Sequence, residues 1–277
     1  MRIAQKLVFI IESVRSGDRI VVSDWSLLFA LRVIDFFHMK RFKIVYRPSI
    51  NSYYLRDILL EKFRVKVMVD LLLKFSLRKT RLIFQAVEIQ RSFEKYSREN
   101  YFISANPLGK DVKFMRPKNT DVIKNILFIG RPTYEKGFDR FIRIADKSKP
   151  DYITFYHYGM PSDQYRSDNV VSMGWYNTRD IELNESLVVV PSRLEGFPNI
   201  VLELLQAKAS IIVSKEVAEY FENYPKLYGS LNTCDFDSID IDYLVAFKKE
   251  ENEQYDMKEL PTIEKYSALI NKLFENI

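Results

Sequence analysis

Four charged side chains stand close to glycine or proline in two short stretches, and their types suit an anionic ligand that also carries hydroxyl groups. In Ile126-Leu-Phe-Ile-Gly-Arg-Pro-Thr-Tyr-Glu-Lys-Gly137, Arg131 and Lys136 follow an apolar run that ends at Gly130. Two cations at the carboxyl end of a strand can neutralise a diphosphate. In Leu187-Val-Val-Val-Pro-Ser-Arg-Leu-Glu-Gly-Phe-Pro-Asn-Ile-Val-Leu-Glu-Leu-Leu-Gln-Ala207, Glu195 precedes a helical pattern and Glu203 lies inside it, with seven residues between them. Gly196 permits close approach of backbone to a ligand, and Pro198 suits a first helical turn. The amides of Asn199, Ile200 and Val201 are then expected as unpaired donors at the positive end of a helix dipole. A carboxylate repels a phosphate, so Glu195 and Glu203 are better read as acceptors for hydroxyls such as those of a ribose and a hexose. Asn199 and Glu203, four apart, share one helical face beside that anion site. Taken alone, the second stretch also fits a surface helix with two solvated glutamates.

The elements that must hold these residues follow from periodicity. Leu187 to Val190 is short, apolar and β-branched, as a strand covered on both faces should be, and Ile126 to Ile129 matches it. Helical spacing follows the first stretch, from Phe138 to Ala145. Further strands are expected at Tyr152 to Tyr158, Val170 to Tyr176 and Ser210 to Ser214, with a short helix over Ile181 to Asn184. Upstream, residues 1 to 16 have the spacing of an amphipathic helix, closed by Gly17-Asp18. Strands at Arg19 to Trp25, Phe42 to Tyr46, Thr80 to Ala86 and Tyr101 to Ser104 alternate with helices at Ser26 to Phe37 and Val87 to Ser97. Strands alternating with helices imply parallel sheets. Residues 55 to 79 combine a wide apolar face with Arg56, Lys62, Arg64, Lys66, Lys74, Arg78 and Lys79. Such a stretch can lie on an anionic leaflet, or it can pack on the domain with its charges in water.

The Gly-Arg-x4-Lys-Gly element, the later Pro-Ser-x-x-Glu-Gly-Phe-Pro and the Glu-x7-Glu pair together resemble GT-B glycosyltransferases of the family-4 kind, closely from about residue 121 to 215. That resemblance implies an α/β fold of two Rossmann-like domains, with a shortened N-terminal domain: residues 1–118 on the acceptor side, 119–260 binding a nucleotide sugar, and 261–277 as a helix returning to the first domain. It implies hexosyl transfer from a nucleoside-diphosphate sugar to a glycan or lipid-linked acceptor in surface polysaccharide synthesis, with retention and without a metal or other cofactor. Arg131, Lys136 and Glu195 would be catalytic. Gly130, Gly196, Phe197, Asn199, Ile200, Val201 and Glu203 would bind the donor, and Trp175 and Tyr176, after a strand ending in glycine, would meet the nucleobase or else cap the core. Two departures stand out. Few glycines precede Gly130, so the opening strand–helix units of the family are expected to be absent, which leaves room for a non-catalytic subunit or a partner chain completing the first domain. The turn Tyr46-Arg-Pro-Ser-Ile-Asn51 also lacks the histidine found in relatives, leaving Arg47, Ser49 or Asn51 as substitutes.

The totals narrow the alternatives. At 277 residues the chain can hold two modest domains, each with a core. A balance of 42 Lys plus Arg against 37 Asp plus Glu suits an anionic nucleotide sugar or membrane surface and is not the dense basic stripe of a nucleic-acid binder. The single Cys234 rules out an intramolecular disulfide, and His38 and His157 alone make no zinc cluster. Leu7 to Ile11 is too short for a signal core, which needs roughly 7–15 apolar residues. A cytoplasmic protein, soluble or peripheral on the membrane, is the expectation. Cys234-Asp-Phe-Asp-Ser-Ile-Asp-Ile-Asp242 contains Asp-x-Asp arrays that could hold a divalent ion, but the same pattern makes an exposed edge or loop. His157, in an expected strand, reads as structural.

Overall fold

The structure is a computed structural model, which describes residues 15–37, 41–48, 55, 57, 66–78, 80–96, 101–107, 113–117, 122–148, 153–161, 165–246 and 259–275. The expected helix over residues 1 to 16, most of the basic stretch before residue 66, and His38, Ser49 and Asn51 lie outside them. The chain forms two compact units, one of Met1–Pro107 with Pro261–Ile277, the other of Leu108–Leu260. Both are α/β with parallel strands, the two Rossmann-like sheets expected.

The first unit runs β1 (Arg19–Val22), α1 (Trp25–Phe36), β2 (Lys43–Tyr46), α2 (Lys66–Leu77), β3 (Arg81–Phe84), α3 (Val87–Phe93) and β4 (Tyr101–Ile103). Its strands lie side by side in chain order, all parallel. Asp24 starts α1 by accepting the Leu27 N–H at 2.8 Å, a cap that ends β1 as well. A sheet that always advances one way by right-handed crossovers carries its helices on one face. Phe84 accordingly packs its ring on Phe93 of α3.

The second unit runs β5 (Asn125–Ile129), α4 (Phe138–Lys147), β6 (Thr154–Tyr158), β7 (Val170–Gly174), β8 (Ser186–Val190), α5 (Asn199–Gln206), β9 (Ser210–Ser214), α6 (Lys215–Ala218), α7 (Pro225–Ser230), β10 (Thr233–Cys234) and α8 (Ile241–Val245). The parallel order is β10-β9-β8-β5-β6-β7. Every residue of β8 is buried, which explains its unbroken apolar run. Phe128, Phe138, Phe141, Phe155, Leu187 and Ile212 form the centre of the core. The direction of winding reverses between β5 and β8, and crevices for ligands open at the carboxyl ends of strands at such a reversal. Both charged stretches of the sequence start there.

One element differs from expectation. Instead of a helix at Ile181 to Asn184 there is a 3-10 turn at Thr178–Asp180, capped by the Asn177 side chain, which accepts the Arg179 N–H at 3.1 Å. Ile181 and Leu183 are buried while Glu182 between them is exposed. That two-residue alternation belongs to extended chain.

The closing helix α9 (Ile263–Glu275) belongs to the first unit, where Leu273 and Phe274 pack on Val45 and Ile83. Ile83 and Phe84 are consecutive strand residues and face opposite sides of the sheet. Thus α9 covers the face that α3 does not. Lys43 Nζ donates to the Phe274 carbonyl at 3.3 Å. Among the described residues, no helix is long and apolar enough to cross a membrane. Leu273 is 1% exposed; Leu273→Ala is expected to cost about 2–5 kcal/mol in a urea unfolding curve, with the loss carried by the first unit.

Candidate functional site

Two turns make the site, and each is fixed by backbone geometry. At the end of β5, the Gly130 N–H donates to the Tyr158 carbonyl at 2.9 Å, and the Gly130 carbonyl lies 3.0 Å from His157 Nε2. His157 is buried, and burial lowers its pKa against the opposing effect of that hydrogen bond. A neutral ring donating from Nε2 satisfies the carbonyl, so His157 orients the Gly130 peptide and is structural. Gly159 sits so close that a Cβ there would stand 2.1 Å from the Gly130 oxygen.

The turn continues to Gly137, at φ +69°, where a Cβ would stand 2.0 Å from the Pro191 carbonyl oxygen of the second turn. Only glycine allows both the left-handed conformation and that approach. Arg140, on the first turn of α4 and almost fully buried, donates to the same Pro191 oxygen at 3.0 Å. Its remaining donors reach Glu216 at 2.8 Å and Asp237. Next along the chain, the Arg193 and Leu194 amides donate to the Glu135 carbonyl at 2.8 and 3.1 Å. The Arg193 guanidinium takes Asp139 with two bonds of 2.6 and 2.8 Å and stacks 4.0 Å over the Tyr134 ring. Finally, Tyr220 grips Glu195 by its backbone. The hydroxyl accepts the Glu195 N–H at 3.0 Å and donates to the Glu195 carbonyl at 2.7 Å.

Between the turns is a hollow of about 340 Å³ lined by Gly130, Arg131, Lys136, Glu195, Phe197, Asn199, Ile200, Glu203 and Tyr176, with the ends of β5 and β8 as its floor. The paired cations, the start of α5 and both glutamates therefore share one space. Lys136 Nζ donates to Glu195 Oε2 at 2.5 Å. Glu203 is held by Lys113, from the segment ahead of β5. Burial, then the charge of Glu203, raises the Tyr176 pKa.

Several expected contacts are placed elsewhere. Trp175 is 79% exposed and does not line the hollow, because a residue just past the edge strand β7 has sheet on one side only. Val201 is fully buried in the core and Gly196 is also outside the lining. Two of the three amides expected as free donors are used: Asn199 N–H donates to the Phe197 carbonyl at 2.8 Å and Val201 N–H to the Pro198 carbonyl at 3.0 Å. The tight entry that Pro198 makes ahead of α5 satisfies them locally. Lys113, Arg140, Arg193 and Tyr220 were not singled out by sequence, since nothing in their local pattern pairs them with partners 25 to 97 positions away. The Asp-x-Asp segment has other work: Asp237 binds Arg140 and Arg143, and Asp240 caps α8 by accepting the Tyr243 N–H at 3.0 Å. In the first unit, Arg47 and Gln85 both donate to the Asn106 side chain.

Parallel strands that reverse their winding at the centre of the sheet, with a basic glycine turn facing a glutamate-bearing helix there, are the arrangement of a Rossmann-like domain of the GT-B fold. Residues 123–225 match the family model of glycosyl transferases group 1, and the chain has the GT-B fold. An uncharacterised 42.6 kDa protein from the cps region of Klebsiella pneumoniae is 28% identical over 124 residues, 42% of this chain and 33% of that protein. The match thus spans about a third of that relative's length. Among solved structures, the apo lipopolysaccharide outer core galactosyltransferase WaaB aligns over 99% of this chain and 78% of its own, with TM-score 0.60 and 17% identity. HepE of Anabaena, in complex with UDP and glucose, aligns over 98% and 77%, with TM-score 0.60 and 13% identity.

Two outcomes test how the site is held. Tyr220→Phe would leave the Glu195 N–H and carbonyl without their partner and is expected to cost about 1–3 kcal/mol of stability in a denaturant melt. Asp237, held by its hydrogen bond to Arg140, has its pKa lowered from 3.8 to about 2. Its contribution to stability is present above the unfolded value and lost as pH falls from about 4 through about 2. Thermal melts of Asp237→Asn should show a lower midpoint at neutral pH and a shallower loss over that acid window.

Proposed function

We propose that the chain transfers a hexosyl group from a nucleoside-diphosphate sugar to a glycan or lipid-linked acceptor in surface polysaccharide synthesis. The observation that carries this reading is the convergence of Gly130, Arg131, Lys136, Glu195, Asn199 and Glu203 on one hollow at the reversal of the second sheet. Breaking an anomeric C–O bond leaves negative charge on the diphosphate and positive charge on the sugar ring. Arg131 and Lys136 would take up the first as fixed cations, with no reorganisation needed as the bond breaks. Glu195, its backbone clamped by Tyr220, would receive donor-sugar hydroxyls, with Lys136 handing over part of its ion pair to the diphosphate. Glu203 would receive the ribose hydroxyls in place of the Lys113 ammonium, and Tyr176 would border the base. Retention of anomeric configuration rests on the family resemblance. A cps-region relative and a lipopolysaccharide galactosyltransferase of like fold support the polysaccharide setting.

The test is titration calorimetry of the purified chain against UDP-, GDP- and ADP-sugars, followed by transfer or donor-hydrolysis assays. Lys136→Ala is expected to lower turnover by about 10²–10³, a larger effect than the fall in melting midpoint that comes from leaving the buried Glu195 without its cation, while Glu203→Ala weakens donor binding. Unchanged turnover in Lys136→Ala would remove the assigned role. Donor binding without transfer or hydrolysis would favour the second reading, a nucleotide-binding subunit that acts with another chain. A protein of like fold, TM-score 0.55, was solved as a GtfA/B complex.

A further inference from the structure

Arg193 does not line the hollow, yet it binds the stretch that carries both cations of the first turn. That stretch, Arg131 to Lys136, is neither strand nor helix. Inside it the Thr133 N–H donates to the Arg131 carbonyl at 2.9 Å, and the Gly137 N–H to the Tyr134 carbonyl at 3.0 Å. Such bonds shape a turn without fixing where it points. Its direction comes from the second turn. The Tyr134 carbonyl also accepts from Arg193 Nη1 at 3.0 Å, and the Glu135 carbonyl accepts the Arg193 and Leu194 amides at 2.8 and 3.1 Å. The two carbonyls immediately before Lys136 are thus both held by residues 193 and 194.

The Arg193 side chain is itself aimed. Asp139 takes it with two bonds of 2.6 and 2.8 Å, and an oxygen of Asp237 lies 3.6 Å away. The guanidinium also stands 4.0 Å from the centre of the Tyr134 ring, and Tyr134 is 59% exposed, so the stack holds a ring that the core does not. A planar fork can bind a carboxylate, a carbonyl and an aromatic face together, and an ammonium cannot. A partly exposed ion pair contributes at most modestly to stability, so the arrangement is better explained by what it orients. Lys136 is a point charge on a flexible stem, and a cation assists bond breaking most when it is in place before charge develops. Its ammonium meets Glu195, two residues after Arg193. One short segment therefore fixes both the base of Lys136 and the carboxylate at its tip.

We propose that Arg193 is a positioning residue for the transfer reaction: by gripping Tyr134 it sets the turn that carries Lys136, and so the reach of the ammonium toward the diphosphate, without touching the substrate. The consequence for turnover rests on the glycosyl-transfer reading, whereas the order of the turn does not.

The test is Arg193→Lys, which keeps a cation beside Asp139 but loses the fork and the stack, with Arg193→Ala alongside. Hydrogen exchange read by mass spectrometry should be faster over residues 131–137 in both, with β5 and β8 as protected as in the unaltered chain. With the nucleotide sugar that titration selects, kcat is expected to fall by about 10–10²-fold while the donor KM moves by less than about threefold. Millimolar guanidinium ion should restore part of the lost turnover to Arg193→Ala and none to Lys136→Ala. Arg143→Ala removes another guanidinium bound to Asp237 and should leave kcat and the exchange of the turn unchanged. Unchanged kcat in Arg193→Lys, even with a lowered melting midpoint, overturns the proposal. So does an equal fall of kcat in Arg143→Ala, which would make the loss one of stability. If the unaltered chain neither transfers nor hydrolyses any donor, the transfer reading fails by itself and exchange decides the grip: faster exchange over 131–137 in Arg193→Lys upholds it, and unaltered exchange overturns it.

Discussion

The Pro191 carbonyl receives a buried guanidinium and lies against the bare Cα of Gly137, and the geometry of the whole second unit turns on that meeting. Arg140 binds an oxygen from the end of β8, a carboxylate that follows β10 and another on α6. Burial alone would discourage its charge, but the bonds to Asp237 and Glu216 outweigh that and hold its pKa above the ordinary value. A lysine could not reproduce the arrangement, because a single ammonium lacks the planar fork that reaches three elements at once. Arg140 is the buried charge of this cluster, and it stays compensated only while its carboxylate partners remain. The two turns at the sheet reversal are thereby fixed before any ligand arrives, as preorganised electrostatics requires.

Both glutamates facing the hollow are already paired with lysines. Lys136 rests on Glu195 and Lys113 on Glu203. Each carboxylate that would be a hydroxyl acceptor thus carries its own counterion, which keeps a concave, partly dry site from accumulating charge of one sign. A ligand bearing both phosphate and hydroxyls can exchange with both halves of these pairs, whereas a bare anion would have to take the lysine and abandon the carboxylate.

Much of this was legible in residue order. The β5 turn, the apolar run Leu187 to Val190 of the fully buried β8 and the glutamates at 195 and 203 marked the two crossovers that meet at the hollow, because turn glycines and two-sided strands leave strong local marks. Placement of Ile181 to Asn184 failed where a two-residue alternation competed with a helical reading over too few residues to decide. The availability of the Asn199 and Val201 amides was also misjudged: a proline at the helix entry tightens the turn, and only coordinates reveal which carbonyls it brings into range. Trp175, expected to meet a base or else cap the core, stands 79% exposed past the edge strand β7 and so does not cap the core. Contacts joining distant segments, such as Tyr220 to the Glu195 backbone, leave no trace in either segment alone.

The way α9 returns to cover β2 and β3 has a bearing on how the molecule is made. During synthesis the sheet of the first unit emerges early, but Val45 and Ile83 stay without the helix that packs on them until the ribosome has also delivered everything up to Leu273 and Phe274. The usual order, in which an earlier unit is finished before a later one, is inverted: the sheet of the second unit, contiguous in the chain, can close while the earlier one is still waiting. Exposed apolar strand surface during that interval is the kind that chaperones recognise, so the nascent protein passes through a stage more prone to aggregate than either finished half.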